Sequence, residues 1–268
     1  YTHPMDDGQS RTFKIKFEGE GVDDYGGPYR EIFQQICDEI QLLSTHDPGQ
    51  CFLPLLLPSK NWTQDHECTE RYKFIFNPMS ASEIRLDLYR FLGQLVGIAI
   101  RSKITLDLSF PSLVWKSVVR EELSEADILS FDAASYDFVQ QLGSIYKKLS
   151  KLEIATAQYH HYQQQQQHQG QGHGHLSTAA SISLMNMYDG LDMGNPDYNP
   201  CEILEAARQE ATSILLDVTW SFVRSDGELI ALIPQGETRV VQIEELGDFL
   251  RMYIKAKLTE SFHATEVF

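Results

Sequence analysis

The sequence predicts an α+β fold that is mainly helical and carries a few short antiparallel strands. Three observations predict it. From Ile84 to Ile100 the apolar residues Ile84, Leu88, Phe91, Leu92, Leu95, Val96, Ala99 and Ile100 recur at helical spacing. From Ile214 to Val223 the pattern changes to alternation, with Leu216, Val218, Trp220 and Phe222 on one face, and Ser225-Asp226-Gly227 turns the chain into a return strand from Leu229 to Ile233. Between these regions, from about Thr156 to Pro200, the composition shifts to Gln, His, Gly, Ser, Asn and Asp, which cannot bury enough apolar surface to offset the entropy of ordering.

The elements follow in chain order. Phe13, Ile15 and Phe17 alternate with Lys14 and Lys16, the period of a half-buried strand. Gly26-Gly27 then allows an abrupt reversal and Pro28 suits a first helical turn. The helix that follows sets Phe33, Ile36, Cys37 and Ile40 on one face. Cys51–Pro58 and Arg71–Pro78 read as two short strands around a polar loop, and Ser80 or Ser82 can cap the long helix. Gly93 and Gly97, four apart on it, predict close approach of a packed neighbour. Pro111 opens a further helix. Ser124-Glu125-Ala126-Asp127 is a capping sequence before apolar residues that reach Leu149. Beyond the polar stretch a helix starts at Pro200–Ala206, Pro234-Gln235-Gly236-Glu237 makes a turn, and a last helix spans about Glu244 to Leu258 with Leu246, Phe249, Leu250 and Tyr253 on its apolar side. There is no internal repeat.

With 268 residues, 42% hydrophobic and 11% aromatic, the chain can bury a substantial core. A formal net charge of −16 repels nucleic-acid phosphates and anionic lipid, and the basic residues are scattered, so the expected partner is a protein. The longest apolar run, Phe91 to Ile100, is too short for a bilayer, and Tyr1–Asp7 lacks the features of a secretory signal. A soluble intracellular, cytoplasmic protein is expected, without membrane contact. The absence of an initiating Met suggests a piece of a longer polypeptide.

Cys37, Cys51, Cys68 and Cys201 show no Cys-x-x-Cys spacing, which argues against a zinc site or a disulfide framework. Cys37 falls on a helical core face, whereas Cys51 and Cys68 follow polar loop residues and read as exposed thiols; catalytic use of any is not expected. His160, His161, His168, His173 and His175 are either transition-metal ligands or part of a low-complexity loop without chemistry, and the repetitive composition favours the loop. No metal and no cofactor are expected.

The segment Phe13 to Phe33, with its strand, acidic turn, Gly26-Gly27 pair and Arg30-Glu31-Ile32 helix start, resembles the opening of the HECT-type ubiquitin ligase domain. Phe91–Ile100 resembles that family's long central helix, and Leu106-Asp107-Leu108-Ser109-Phe110-Pro111 falls in its expected place. Leu216-Asp217-Val218-Thr219-Trp220 resembles its strand, with Trp220 where Phe is usual. Leu232-Ile233-Pro234-Gln235-Gly236 and Val241-Gln242-Ile243-Glu244-Glu245 look like its hairpin, glycine turn and helix start.

The resemblance implies the elongated amino-terminal lobe of the catalytic domain. Residues 1–10 would be a flexible start and 11–116 a large helical subdomain. Residues 117–155 and 201–264 would form a smaller subdomain that binds a ubiquitin-conjugating enzyme, 156–200 a disordered insertion, and 265–268 the return towards the large subdomain. The family's catalytic cysteine lies in a carboxy-terminal lobe that this chain is expected to lack, so alone it should not form a ubiquitin thioester. Carried across residue by residue, the groove for the conjugating enzyme is Ser135, Phe138, Val139, Ile145, Leu216, Val218 and Phe249, where the family usually has leucines at the first and third positions. The implied partners are a ubiquitin-conjugating enzyme, ubiquitin, and protein substrates held by other regions of the parent. Two other functions compete: a non-catalytic adaptor with the same fold, and a cysteine hydrolase using Cys37 or Cys51 with a histidine.

Overall fold

The first helix starts where the glycine pair ends. In the computed structural model, which describes residues 27–47, 49–62, 70–78, 83–168 and 199–268, α1 spans Gly27–Ile40 with Pro28 in its first turn. Tyr29, Phe33, Cys37 and Ile40 are buried along its inner face. The strand expected at Phe13–Phe17, the caps at Ser80 and Ser82, Cys68 and most of the insertion lie outside the described residues.

Two short strands follow, β1 (Leu56–Pro58) and β2 (Phe74–Phe76), paired antiparallel with Leu56 opposite Phe76 and Leu57 opposite Ile75. Their two-residue period serves two cores at once. Leu56, Phe74 and Phe76 enter the main cluster, whereas Leu57 and Ile75 join Ile128 and Phe131 in a smaller one. The remaining elements are α2 (Glu83–Ser102), α3 (Ser112–Val118), α4 (Ala133–His168), α5 (Pro200–Leu215), β3 (Ser221–Val223), β4 (Leu229–Ala231), α6 (Leu246–Leu258) and α7 (Phe262–Val267). Among the described residues the fold is α+β, mainly helical, with two small two-stranded sheets. Among the described residues no helix is long and apolar enough to cross a membrane.

The chain packs as two units. The first comprises the described residues between 27 and 138, with 222–232 and 252–268. Its core joins α1, the β1–β2 pair and α2 through Phe33, Phe76, Tyr89, Leu92 and Leu95. Phe76 stands 5.3 Å from both Tyr89 and Phe110 in edge-on ring contacts, and the Tyr89 hydroxyl donates to the Leu55 carbonyl at 2.6 Å. Gly93 packs against the carbonyl end of Phe268, a backbone approach that any side chain would obstruct, as the glycine spacing predicts; Gly97 has no such neighbour. The apolar stripe expected on α2 is partly wrong. Leu88, Phe91 and Ile100 are exposed, Leu92, Leu95 and Ala99 are buried as expected, and Tyr89, which the stripe left out, is fully buried.

The start of α4 is also fixed in this unit. Ser124 and Asp127 form a capping box at a short 3-10 turn, Glu125–Ser130. Asn61 is wholly buried; its amide donates to the Leu129 carbonyl at 2.8 Å and its Oδ1 accepts the Ala133 N–H at 2.8 Å. The Asp132 carboxylate accepts the Ser135 N–H at 2.9 Å, the bond of a helix N-cap.

The second unit comprises the described residues of 139–168 and 199–221, with 233–251. Here α4 and α5 run antiparallel, because Lys148 pairs with Glu210 at 3.0 Å and Arg208 with Glu153 at 2.6 Å. Leu149 and Leu152 pack against Ala207 and Ala211, whose small side chains let the helices approach. Helix α4 continues through His168, beyond Thr156 where a disordered insertion was expected to begin. Gln and Ala are good helix formers, and α5 supplies a packing partner for the early part of this extension. Asn199 caps α5 by accepting the Cys201 N–H at 3.1 Å. The expected strand from Ile214 is a second correction: α5 runs to Leu215, continuing the buried Ala207, Ala211, Leu215 series, and β3 is short.

The expected ranges for a small subdomain, 117–155 and 201–264, include 117–138, 222–232 and 252–264, which pack in the first unit.

Candidate functional site

The residues named for a partner groove divide between the two units. In the first, Ser135 and Phe138 lie on the first turns of α4 beside Tyr253 of α6. The Tyr253 hydroxyl donates to Ser135 Oγ at 3.2 Å, and the Phe138 ring stands 5.3 Å from that of Tyr253. Burial raises the Tyr253 phenol above its ordinary range, against the pull of the Ser135 bond, and so keeps it a proton donor.

In the second unit the five remaining residues differ in exposure. Val139 and Phe249 are buried, Ile145 and Val218 are half-buried, and Leu216 is 63% exposed where it ends α5. Phe249 is fixed by an edge-on contact with Trp220 at 5.7 Å. Trp220 is held in turn by several neighbours. Its indole N–H donates to Glu245 at 3.3 Å, and the Arg239 guanidinium, ion-paired with Glu245, stands 5.7 Å from its ring. The backbone turn at Gly236 meets the Trp220 carbonyl so closely that a Cβ could not fit. Val218 is set by the Val241 N–H, which donates to its carbonyl at 2.9 Å, next to the Thr219–Val240 bridge.

This arrangement presents an apolar side chain, Leu216, on a well-braced frame. Ile214 and Tyr146 are further exposed apolar residues of this unit that the sequence reading did not assign to the groove. Their signal was weak, because Ile214 interrupts neither a helical nor a strand pattern. The Tyr146 ring lies where a Cβ added at Gly247 would meet it, a proximity that local sequence does not show.

The cysteines are poor nucleophiles where they are buried. Cys51 is not the exposed loop thiol expected from its polar neighbours: it bridges Leu43 and is buried. Burial pushes both the Cys37 and Cys51 thiols up to about 11, away from the thiolate form that attacks carbonyls. Cys201 differs, being half-buried with its Sγ 3.5 Å from His160 Nε2.

A model of the HECT-domain (ubiquitin-transferase) family matches residues 53–266. The chain belongs to the HECT-domain family. It is 36% identical over 132 residues to the mouse (Mus musculus) E3 ubiquitin-protein ligase HERC2, a stretch that is 49% of this chain and 2% of that protein. It is 34% identical over 134 residues to the human (Homo sapiens) probable E3 ubiquitin-protein ligase HECTD4, covering 50% of this chain and 3% of that one. With the Saccharomyces cerevisiae E3 ubiquitin-protein ligase RSP5 it shares 27% identity over 124 residues, 46% of this chain and 13% of the relative. The chain thus spans a small part of the length of these relatives. The HECT-domain match contains the whole of the second unit and every residue named for the groove.

Proposed function

We propose that this chain is the conjugating-enzyme-recruiting lobe of a HECT-type ubiquitin ligase, acting inside the cell, in the cytoplasm. Exposure of Leu216 carries the proposal. A 63% exposed leucine follows the buried Leu215 in a unit that lies within the HECT-domain match, and it offers an apolar contact to an aromatic loop residue of a partner. Ile145 and Val218, both half-buried, belong to the same unit.

Recruitment works by proximity. Holding the charged conjugating enzyme converts a bimolecular encounter into an oriented transfer. A cysteine thiolate of the parent attacks the carbonyl of the donor thioester, the donor's thiolate leaves, and a substrate amine later attacks the new thioester and releases the cysteine. The buried thiols of Cys37 and Cys51 are unsuited to that attack, which argues against a hydrolase built on either and fits a catalytic cysteine elsewhere in the parent.

The test is calorimetric titration of the chain with a panel of ubiquitin-conjugating enzymes, beside Leu216→Ser. Saturable binding to at least one member, weakened by about tenfold or more in a variant with unchanged circular dichroism, is the expected result. A folded chain that binds no member of the panel would overturn recruitment in favour of the adaptor reading.

A further inference from the structure

A helix cap, a buried ion pair and a candidate groove residue meet at one serine of the first unit. Ser135 is the third residue of α4 and is half-buried. Its hydroxyl stands 2.7 Å from Asp132 Oδ2, the same oxygen that Lys257 Nζ reaches at 2.7 Å. The Tyr253 hydroxyl lies 3.2 Å from Ser135 Oγ. All four residues belong to the first unit, as do Phe138 and Phe222.

Proton counting fixes the direction of these bonds. The Asp132 carboxylate, paired with the Lys257 ammonium, only accepts, so the Ser135 hydroxyl gives its single proton to Asp132. Ser135 Oγ then has only lone pairs to offer, and the Tyr253 phenol donates to it. Both bonds run towards the ion pair, and the charge-assisted one polarises the other. At the outer end of the series the Tyr253 ring is 5.3 Å from that of Phe138 and 6.1 Å from that of Phe222. Tyr253 is buried and Phe138 half-buried, so a phenol tied at its hydroxyl gives Phe138 a fixed surface to pack on.

We propose that Ser135 is a positioning residue of the groove and not one of its apolar contacts: it links the Asp132–Lys257 pair to Tyr253 and thereby sets the Phe138 side chain that the partner meets. The inference rests on the recruitment reading and deepens it. The two roles for Ser135 predict opposite signs for one substitution. If Ser135 were a contact, Ser135→Leu would add apolar area and tighten partner binding. As a positioning residue, Ser135→Leu strands the buried Tyr253 hydroxyl and weakens binding.

The experiment uses the whole chain with carbon-13 at tyrosine Cζ, observed by NMR, beside calorimetric titration with the conjugating enzyme of highest affinity in a panel. Tyr253→Phe identifies the Tyr253 resonance by removing it. That resonance should move in Ser135→Ala and Ser135→Leu, where the phenol has lost its acceptor, and stay in place in Ser135→Thr, which keeps a hydroxyl. Affinity should fall by about threefold or more in Ser135→Ala and Ser135→Leu and be restored in Ser135→Thr. Ser135→Ala combined with Tyr253→Phe should lose no more affinity than either alone, because both remove the same bond. An unmoved resonance in Ser135→Ala overturns the proposal, as does a folded Ser135→Leu that binds as tightly as the unaltered chain. The resonance needs no partner, so the two readings fail separately. A folded chain that binds no conjugating enzyme overturns recruitment, while a resonance that still responds to Ser135→Ala supports the placement of Tyr253 by Ser135.

Discussion

Lys257 Nζ stands 2.7 Å from Asp132 Oδ2, and the lysine side chain is wholly buried. The ammonium also reaches Glu260 at 3.5 Å and the Val223 carbonyl at 3.3 Å, and lies 5.5 Å and 5.9 Å from the rings of Phe131 and Phe222. Asp132 is at the same time the cap of α4 through Ser135. One buried charge therefore ties β3, the first turn of α4 and the end of α6 together within the first unit.

Replacing Lys257 by Met should destabilise the chain by about 3–5 kcal/mol, because it strands two buried carboxylates without a counter-charge. Urea denaturation measures this. The pH dependence has a definite sign. Burial pulls the Lys257 ammonium down, but the Glu260 and Asp132 carboxylates outweigh it and hold it above its ordinary value of 10.5. A raised lysine stabilises fully below 10.5 and loses that contribution as pH climbs through its higher folded value. The alkaline fall in urea midpoint should thus be steeper in the unaltered chain than in Lys257→Met; parallel falls would assign it to other groups.

Asp127 gives the acidic counterpart. Its carboxylate accepts the Ser124 N–H at 2.8 Å and hydroxyl at 3.1 Å and pairs with Lys116 at 2.8 Å. Burial alone would raise this carboxyl, but the Lys116 and Ser124 bonds win and hold it below 3.8. Its contribution is present above 3.8 and is lost as pH falls through the lower folded value. Asp127→Asn should cost about 1 kcal/mol at neutral pH through the weakened cap. The gap between the two proteins should close on acidification, as read from urea midpoints across the acid range.

The two glycines of α2 should respond in opposite directions. At Gly93 a methyl group runs into the Phe268 carbonyl, so Gly93→Ala should destabilise by about 1–3 kcal/mol through overpacking. Gly97 is exposed with nothing near its missing Cβ, and Gly97→Ala should stabilise by about 0.5–1 kcal/mol by removing backbone freedom from the unfolded chain. Thermal melts of the two variants check both signs. Equal shifts would mean that helix propensity alone governs this helix.

Periodicity made α1 and α6 legible, since Phe33, Cys37, Leu246 and Phe249 are buried where their spacing puts them. It failed where a polar atom is buried with a distant partner. Tyr89 reads as an ordinary amphipathic residue, yet its hydroxyl is satisfied by the Leu55 carbonyl, 34 positions away, which lets the ring sink fully. Lys257 gives no local hint of burial, because Asp132 lies far off in sequence. Between Ile214 and Phe222 two periods compete, and the helical series ending at Leu215 prevails because Ala207 and Ala211 already pack against α4. Residue types in the candidate groove were readable by resemblance. Their depth was not, since depth depends on what each side chain meets in the folded chain.

That difference in depth yields the last prediction. Phe249 is fully buried against Trp220, so Phe249→Ala should cost about 3–5 kcal/mol and weaken any partner binding indirectly, by loosening α6. Leu216 is exposed, and Leu216→Ser should leave stability within about 0.5 kcal/mol of the unaltered chain. Measuring urea midpoints and conjugating-enzyme affinity on both variants separates the two effects. Leu216→Ser should lose affinity without stability, and Phe249→Ala should lose both. If Leu216→Ser instead melts early, Leu216 is part of the packing that ends α5, and the contact surface must be sought at Ile145, Tyr146 and Ile214.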